Sequence, residues 1–204
     1  MQPILPGILR PNGSYTALLP DEASAGRLWA RQYCEDGANC AIGDCGSSDC
    51  WSHSSDNTTL FEFTLNADTF WYDISLVDAF TCGMTVVPEV EDSLRCKTIA
   101  CPYESILGTS HQPPLCPKEN LILGTMTAGQ ATTAPYCLSD CRLYGSDEYC
   151  CRGGTPQSCQ PSSTWFKNVN ACPHAYSYAF DDASSLWGCD VRDVNHISVR
   201  FNCP

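Results

Sequence analysis

Basic residues are scarce in this chain. Lys and Arg number 11 against 23 Asp and Glu, giving 204 residues a formal net charge of -12 and a sequence pI near 4.5. No two basic residues adjoin. No patch of positive potential is therefore available to hold a phosphate backbone or an anionic lipid surface, and nucleic acid is excluded as a partner. No apolar run reaches the roughly 18 residues that a membrane span needs, so no integral membrane segment is expected. The C-x2-C pairs that zinc sites use are missing, and neither a metal nor another cofactor is expected. The absence of a G-x-S-x-G string removes the marker of serine hydrolase chemistry. Internal repeats and low-complexity tracts are absent. With 43% hydrophobic and 17% charged residues, the composition is not that of a disordered chain.

Cysteine is abundant: 16 residues, an even number, spread from Cys34 to Cys203. That level marks a disulfide scaffold and an oxidising compartment, because a reducing cytosol would keep the thiols open, so the expected address is secreted and extracellular. Met1 to Gly7 has no basic start, no apolar h-region and no small-residue cleavage site. The expectation is a mature or truncated chain, or one whose first exon was missed. Two N-x-[ST] sequons, at Asn12 and Asn57, suit a secreted glycoprotein.

The length suits one domain or two tightly joined ones. Strand-like stretches run over Ser14 to Leu19, Gly26 to Tyr33, Thr59 to Met84 and Ile197 to Phe201. In Leu60 to Leu65 the apolar Phe61, Phe63 and Leu65 share one face, which sends Glu62 to the other, outside the core. From Arg95 to Cys172 the texture changes to short segments between Cys, Pro and Gly, where disulfides must replace an apolar stripe. Tyr136 to Cys150 suits a short helix. Cys150 and Cys151 adjoin, and separate partners for each are simpler than a shared ion. The picture is a β core with a disulfide-braced lobe inserted late and a small cysteine hairpin, Cys34 to Cys50, inserted early.

Eight strings in order resemble the thaumatin-like family of pathogenesis-related antifungal proteins. They are Gly26-Arg27-Leu28-Trp29-Ala30-Arg31, Gly43-Asp44-Cys45-Gly46, Phe61-Glu62-Phe63-Thr64-Leu65-Asn66 and Tyr72-Asp73-Ile74-Ser75-Leu76-Val77-Asp78-Ala79-Phe80. The later four are Glu148-Tyr149-Cys150-Cys151, Trp165-Phe166-Lys167, Cys172-Pro173-His174-Ala175-Tyr176-Ser177-Tyr178 and Phe201-Asn202-Cys203-Pro204. The resemblance implies a mainly β fold, with a flattened antiparallel β-sandwich core (1–33, 51–94 and 173–204), a disulfide-rich lobe (95–172) and a small cysteine-bridged hairpin unit (34–50). It also implies seven bonds: Cys34–Cys40, Cys45–Cys50, Cys96–Cys189, Cys101–Cys172, Cys116–Cys137, Cys141–Cys150 and Cys151–Cys159. Two cysteines break the pattern. The family's first strand, which bonds the last cysteine, is expected to be missing here, and Cys82 has no family counterpart. Cys82 and Cys203 either bond each other or stay free.

The family's cleft carries one arginine, one glutamate and three aspartates. The resemblance puts these at Arg27, Glu62, Asp73, Asp78 and Asp181, with Asp182 as the alternative to Asp181. Glycoside hydrolysis needs two carboxyls flanking the bond, one protonated and one ionised, and clustered like charges raise at least one pKa. On the enzymatic reading Glu62 is the general acid and Asp78 the nucleophile or base. Arg27 orients or neutralises Asp73, and Arg27, Asp73 and Asp181 bind substrate. Asp73 and Asp78 stand five apart, so the strand must end or bend near Val77 for both to face one cleft. The bland alternative is a set of solvated sheet carboxylates in an acidic protein.

His174, where the family more often has Asp, is read as a structural polar residue, and His53, His111 and His196 receive no role. Trp29, Trp71, Trp165 and Trp187 are core or rim packing, of which one or two can stack on a sugar. The expected function is a monomeric, secreted defence or cell-wall-associated protein that binds β-1,3-glucan or another wall polysaccharide, with weak endo-β-1,3-glucanase activity as the enzymatic reading. The alternative is a non-enzymatic antifungal or interaction protein that acts on a surface receptor or inhibits an enzyme.

Overall fold

The computed structural model describes residues 9–35, 38–47, 50, 55, 57–90, 96–125 and 133–204. Met1 to Gly7, His53 and Arg95 lie outside the described residues. The strands, all antiparallel within their sheets, are β1 (Ala23–Leu28), β2 (Gln32–Glu35), β3 (Ala38–Ile42), β4 (Leu60–Leu65), β5 (Thr69–Ser75), β6 (Ala79–Phe80), β7 (Gly83–Val90), β8 (Ile99–Cys101), β9 (Leu121–Thr125), β10 (Thr133–Leu138), β11 (Trp187–Asp190) and β12 (Val194–Asn202). They form sheets ordered β1-β4-β5-β11, β12-β7-β8 and β6-β10-β9, plus the β2-β3 hairpin. Helix is limited to α1 (Tyr103–Leu107), α2 (Asp140–Tyr144), α3 (Asp147–Cys150), α4 (Asp182–Ser185) and a 3-10 turn at Thr164–Lys167. No described helix is long and apolar enough to cross a membrane.

Period-two patterning builds the sheet that matters most. In β4 and β5, Phe61, Phe63, Phe70, Tyr72 and Ile74 point inward, and the first four stack in a file with ring centroids 5.4 to 6.0 Å apart. Gly26 of β1 lies opposite Phe63 because its missing side chain is the space the ring fills: a Cβ there would stand 2.3 Å from Phe63 Cζ. This face shares one core with Met84 and Val86 of β7 and Ile99 of β8, which makes the sandwich. The Tyr72 hydroxyl clasps the two sheets, donating to the Lys97 carbonyl at 2.6 Å and accepting from its N–H at 2.8 Å.

Two sequence expectations need correction. Ser14 to Leu19 forms no ladder, since Tyr15 and Leu18 are exposed and the edge beside β4 is taken by β1. The stretch from Gly26 to Tyr33 is two strands, β1 and β2, with a break after Leu28.

All seven implied disulfides are present, and Cys82 bonds Cys203 as the eighth. Register explains the eighth. Gly83 of β7 pairs with Asn202 of β12, so the residues one step beyond, Cys82 and Cys203, come face to face with Cα atoms 4.6 Å apart.

Candidate functional site

The outer face of the β1-β4-β5 sheet floors a cavity of about 420 Å³. The residues that alternate with the core file line it: Ala25 and Arg27 from β1, Glu62 and Thr64 from β4, and Trp71, Asp73 and Ser75 from β5. Register draws three of them into one row. Arg27 lies opposite Glu62, and Glu62 lies opposite Asp73. Directly opposed side chains on antiparallel strands have Cβ atoms about 4.5–5.5 Å apart, so the row is contiguous. Trp71 flanks it, opposite Thr64 and 39% exposed.

Strand β5 ends at Ser75, and Leu76 to Asp78 turn before β6 begins at Ala79. This turn brings Asp78 to the same cavity as Asp73 despite their odd spacing. The lobe fixes the turn. Ser139, the N-cap of α2, donates its hydroxyl to the Val77 carbonyl at 2.6 Å and its backbone N–H to the Asp78 carbonyl at 2.9 Å. The same hydroxyl accepts from the Arg142 N–H, satisfying one open donor of the helix. The Asp78 carboxylate faces the Arg142 guanidinium at 4.0 Å.

The far wall comes from the segment after Cys172. Tyr176 docks on the end of β5 through two backbone bonds, its N–H to the Ile74 carbonyl at 2.8 Å and the Leu76 N–H to its own carbonyl at 2.9 Å. Its hydroxyl donates to Asp182 Oδ1 at 2.6 Å, and both residues line the cavity. Burial, then the Asp182 hydrogen bond, push the Tyr176 phenol upward, so it remains a donor.

Two expectations change here. Asp182, not Asp181, lines the cavity; Asp181 is turned away into a buried knot, accepting from the Ser177 N–H and hydroxyl and from the Ser184 hydroxyl and pairing with Lys167 Nζ at 3.1 Å. Arg27 pairs with Glu62, not Asp73, its Nε donating to Glu62 Oε1 at 2.8 Å. The reason is register: on β1 the arginine's direct neighbour is β4, and Asp73 is one strand further.

Asp73 is the electrostatic outlier. It is 9% exposed, and its Oδ1 is buried with no hydrogen-bond partner among the described residues. Burial first, then the charges of Glu62 and Asp182, push its carboxyl up to about 8, with Arg27 pulling the other way. Because the folded-state value lies above that of the unfolded chain, this group's contribution to stability is full below about pH 4 and is lost as pH rises through about 8.

Of the tryptophans, Trp71 alone lines this cavity among the described residues. Trp29 donates to the Gly43 carbonyl, Trp165 packs on Phe166, and Trp187 meets the edge of His174 and the Lys97 ammonium. His174 thus sits in packing, and burial and the nearby lysines lower its pKa. Tyr176 carried no signal in the sequence, whereas Trp71 could have been found from its two-residue spacing to Asp73. Among the described residues no three metal-ligating side chains converge as a metal site.

Comparison with known proteins gives a consistent answer. Residues 6–204 match the sequence profile of the thaumatin family. The chain is 37% identical over 200 residues to pathogenesis-related thaumatin-like protein 3.5 of Cryptomeria japonica, covering 94% of the chain and 75% of that protein. It is 34% identical over 176 residues to a glucan endo-1,3-beta-glucosidase of Prunus avium, covering 81% and 66%. It is also 36% identical over 194 residues to a PR5-like receptor kinase of Arabidopsis thaliana, covering 88% of the chain but only 27% of that protein.

Proposed function

Because this chain belongs to the thaumatin family, we propose that it is a secreted, defence-type protein whose acidic cleft binds β-1,3-glucan. The observation that carries the reading is the cavity floor: a polar row of Arg27, Glu62 and Asp73 beside the exposed ring of Trp71. Sugar hydroxyls donate to carboxylates without charge conflict, and an aromatic face packs against the apolar face of a pyranose ring. A relative named a glucan endo-1,3-beta-glucosidase supports the substrate class. Eight disulfides suit an oxidising, extracellular address.

Binding without cleavage is the form the geometry supports best. With Glu62 as the proton donor, hydrolysis needs its carboxyl at the scissile oxygen, and its Oε1 is instead engaged by Arg27 Nε at 2.8 Å. Wild-type protein is expected to sediment with insoluble β-1,3-glucan while releasing no reducing ends. Trp71→Ala is expected to weaken retention about tenfold. Reducing-end release by the wild type, cut by about 10² or more in Glu62→Gln with retention kept, would instead make the cleft an enzyme with Glu62 its proton donor. Retention of Trp71→Ala at the wild-type level would remove the cleft floor from the account.

A further inference from the structure

The charged row contains a contradiction if every member is ionised. Glu62 has its counter-ion in Arg27 at 2.8 Å, and among the described residues Asp73 on the next strand has no ion pair of its own. Asp73 lines the cavity and is buried, and its Oδ1, closed off from solvent, has no hydrogen-bond partner among the described residues. An anion there would face the charges of Glu62 across the strand pair and Asp182 from α4, with Asp78 in the wall of the same cavity. The remaining ionisable neighbour, Tyr176, spends its proton on Asp182. Strand β11 presents Gly188 opposite Trp71 and, further along the same face, Asp190 opposite Thr69, at the far end of β5 from Asp73 and paired with Arg192. A proton on Asp73 removes the conflict and gives the cavity floor a carboxyl donor.

We propose that Asp73 enters the site protonated and donates a hydrogen bond to an acceptor oxygen of the bound saccharide, while Glu62 beside it is paired with Arg27. This inference rests on the glucan-binding reading. It assigns opposite roles to two carboxyls that the sequence cannot tell apart. Glu62 and Asp182 accept from hydroxyls, and Asp73 supplies a carboxyl donor on the floor. Its elevated pKa agrees with the geometry. The acceptor it would serve is a hydroxyl oxygen, which a neutral glucan offers on every ring.

Two measurements on the intact protein test this. In the sugar-free protein, the carbon-13 shift of the Asp73 carboxyl is followed with pH. It is expected to titrate near the raised value of about 8, and titration among ordinary carboxylates near about 3.9 would overturn the proposal. Laminarihexaose affinity is then measured from about pH 5 to about pH 9. Wild-type affinity is expected to fall about tenfold across that range, following loss of the Asp73 proton, while Asp73→Asn, which keeps an N–H donor at every pH, stays level. A level wild-type profile, or an equal fall in Asp73→Asn, would overturn the donor role. Failure of the wild type to bind at any pH would overturn the glucan reading and the donor role together. Binding with an ordinary Asp73 titration would overturn the donor role alone.

Discussion

Lys167→Met is expected to lower stability by about 3–5 kcal/mol, the cost of leaving one partner of a buried ion pair without the other. The Lys167 and Asp181 side chains are 19% and 10% exposed and meet at 3.1 Å. The ammonium also donates to the Ala175 carbonyl at 2.9 Å, the Ser184 hydroxyl at 3.0 Å and the Ser185 hydroxyl at 2.7 Å. One side chain from the lobe thereby holds the segment that carries Tyr176 and Asp182. Burial lowers the Lys167 pKa and the Asp181 charge opposes that, so the pairing offsets the cost of hiding the cation. Denaturant unfolding checks the effect. Adding Asp181→Asn to Lys167→Met should recover part of the loss, because the orphaned carboxylate disappears. A single variant within about 0.5 kcal/mol of the wild type, the range of ordinary surface changes, would show that the knot is not structural.

The second large effect concerns Cys82–Cys203. These residues are 121 apart in sequence, but Cys96–Cys189 already closes most of that loop. The path the eighth bond closes runs through the segments 82–96 and 189–203, about 30 residues, for which the chain-entropy relation gives about 3–4 kcal/mol. Cys82 is buried at 1% exposure, so the double substitution to Ala is gentler on packing than leaving one thiol behind. The expected result for Cys82→Ala with Cys203→Ala is a guanidinium midpoint lowered to match that loss, with the other bonds intact by peptide mapping. An unchanged midpoint would mean that the β7-β12 ladder alone holds the C-terminal strand.

How much of this was legible in the sequence depended on whether local pattern or register decided the matter. Alternation in Phe61, Phe63 and Leu65 was enough to place Glu62 outside the core, and the five-residue gap between Asp73 and Asp78 was enough to require a strand end near Val77. Partner choice across strands was not legible, because the order of strands in the sheet decides whether Arg27 meets Glu62 on β4 or Asp73 on β5. The same holds for Cys82 and Cys203, whose meeting follows from the Gly83 and Asn202 pairing. Asp181 and Asp182 are adjacent and chemically identical, and only the buried Lys167 ammonium separates the one that braces from the one that lines the cleft. Ser14 to Leu19 misled for a related reason: its alternation suits a strand, but a strand also needs a vacant edge.

The central claim is that the floor and walls of this cleft are where β-1,3-glucan binds. Titrating nitrogen-15-labelled protein with laminarihexaose tests it most directly. The account predicts saturable shifts confined to Arg27, Glu62, the Trp71 indole, Asp73, Asp78, Tyr176 and Asp182. Saturable shifts clustered instead on the disulfide lobe around Tyr144 and Tyr149, or no shifts at millimolar sugar, would contradict it.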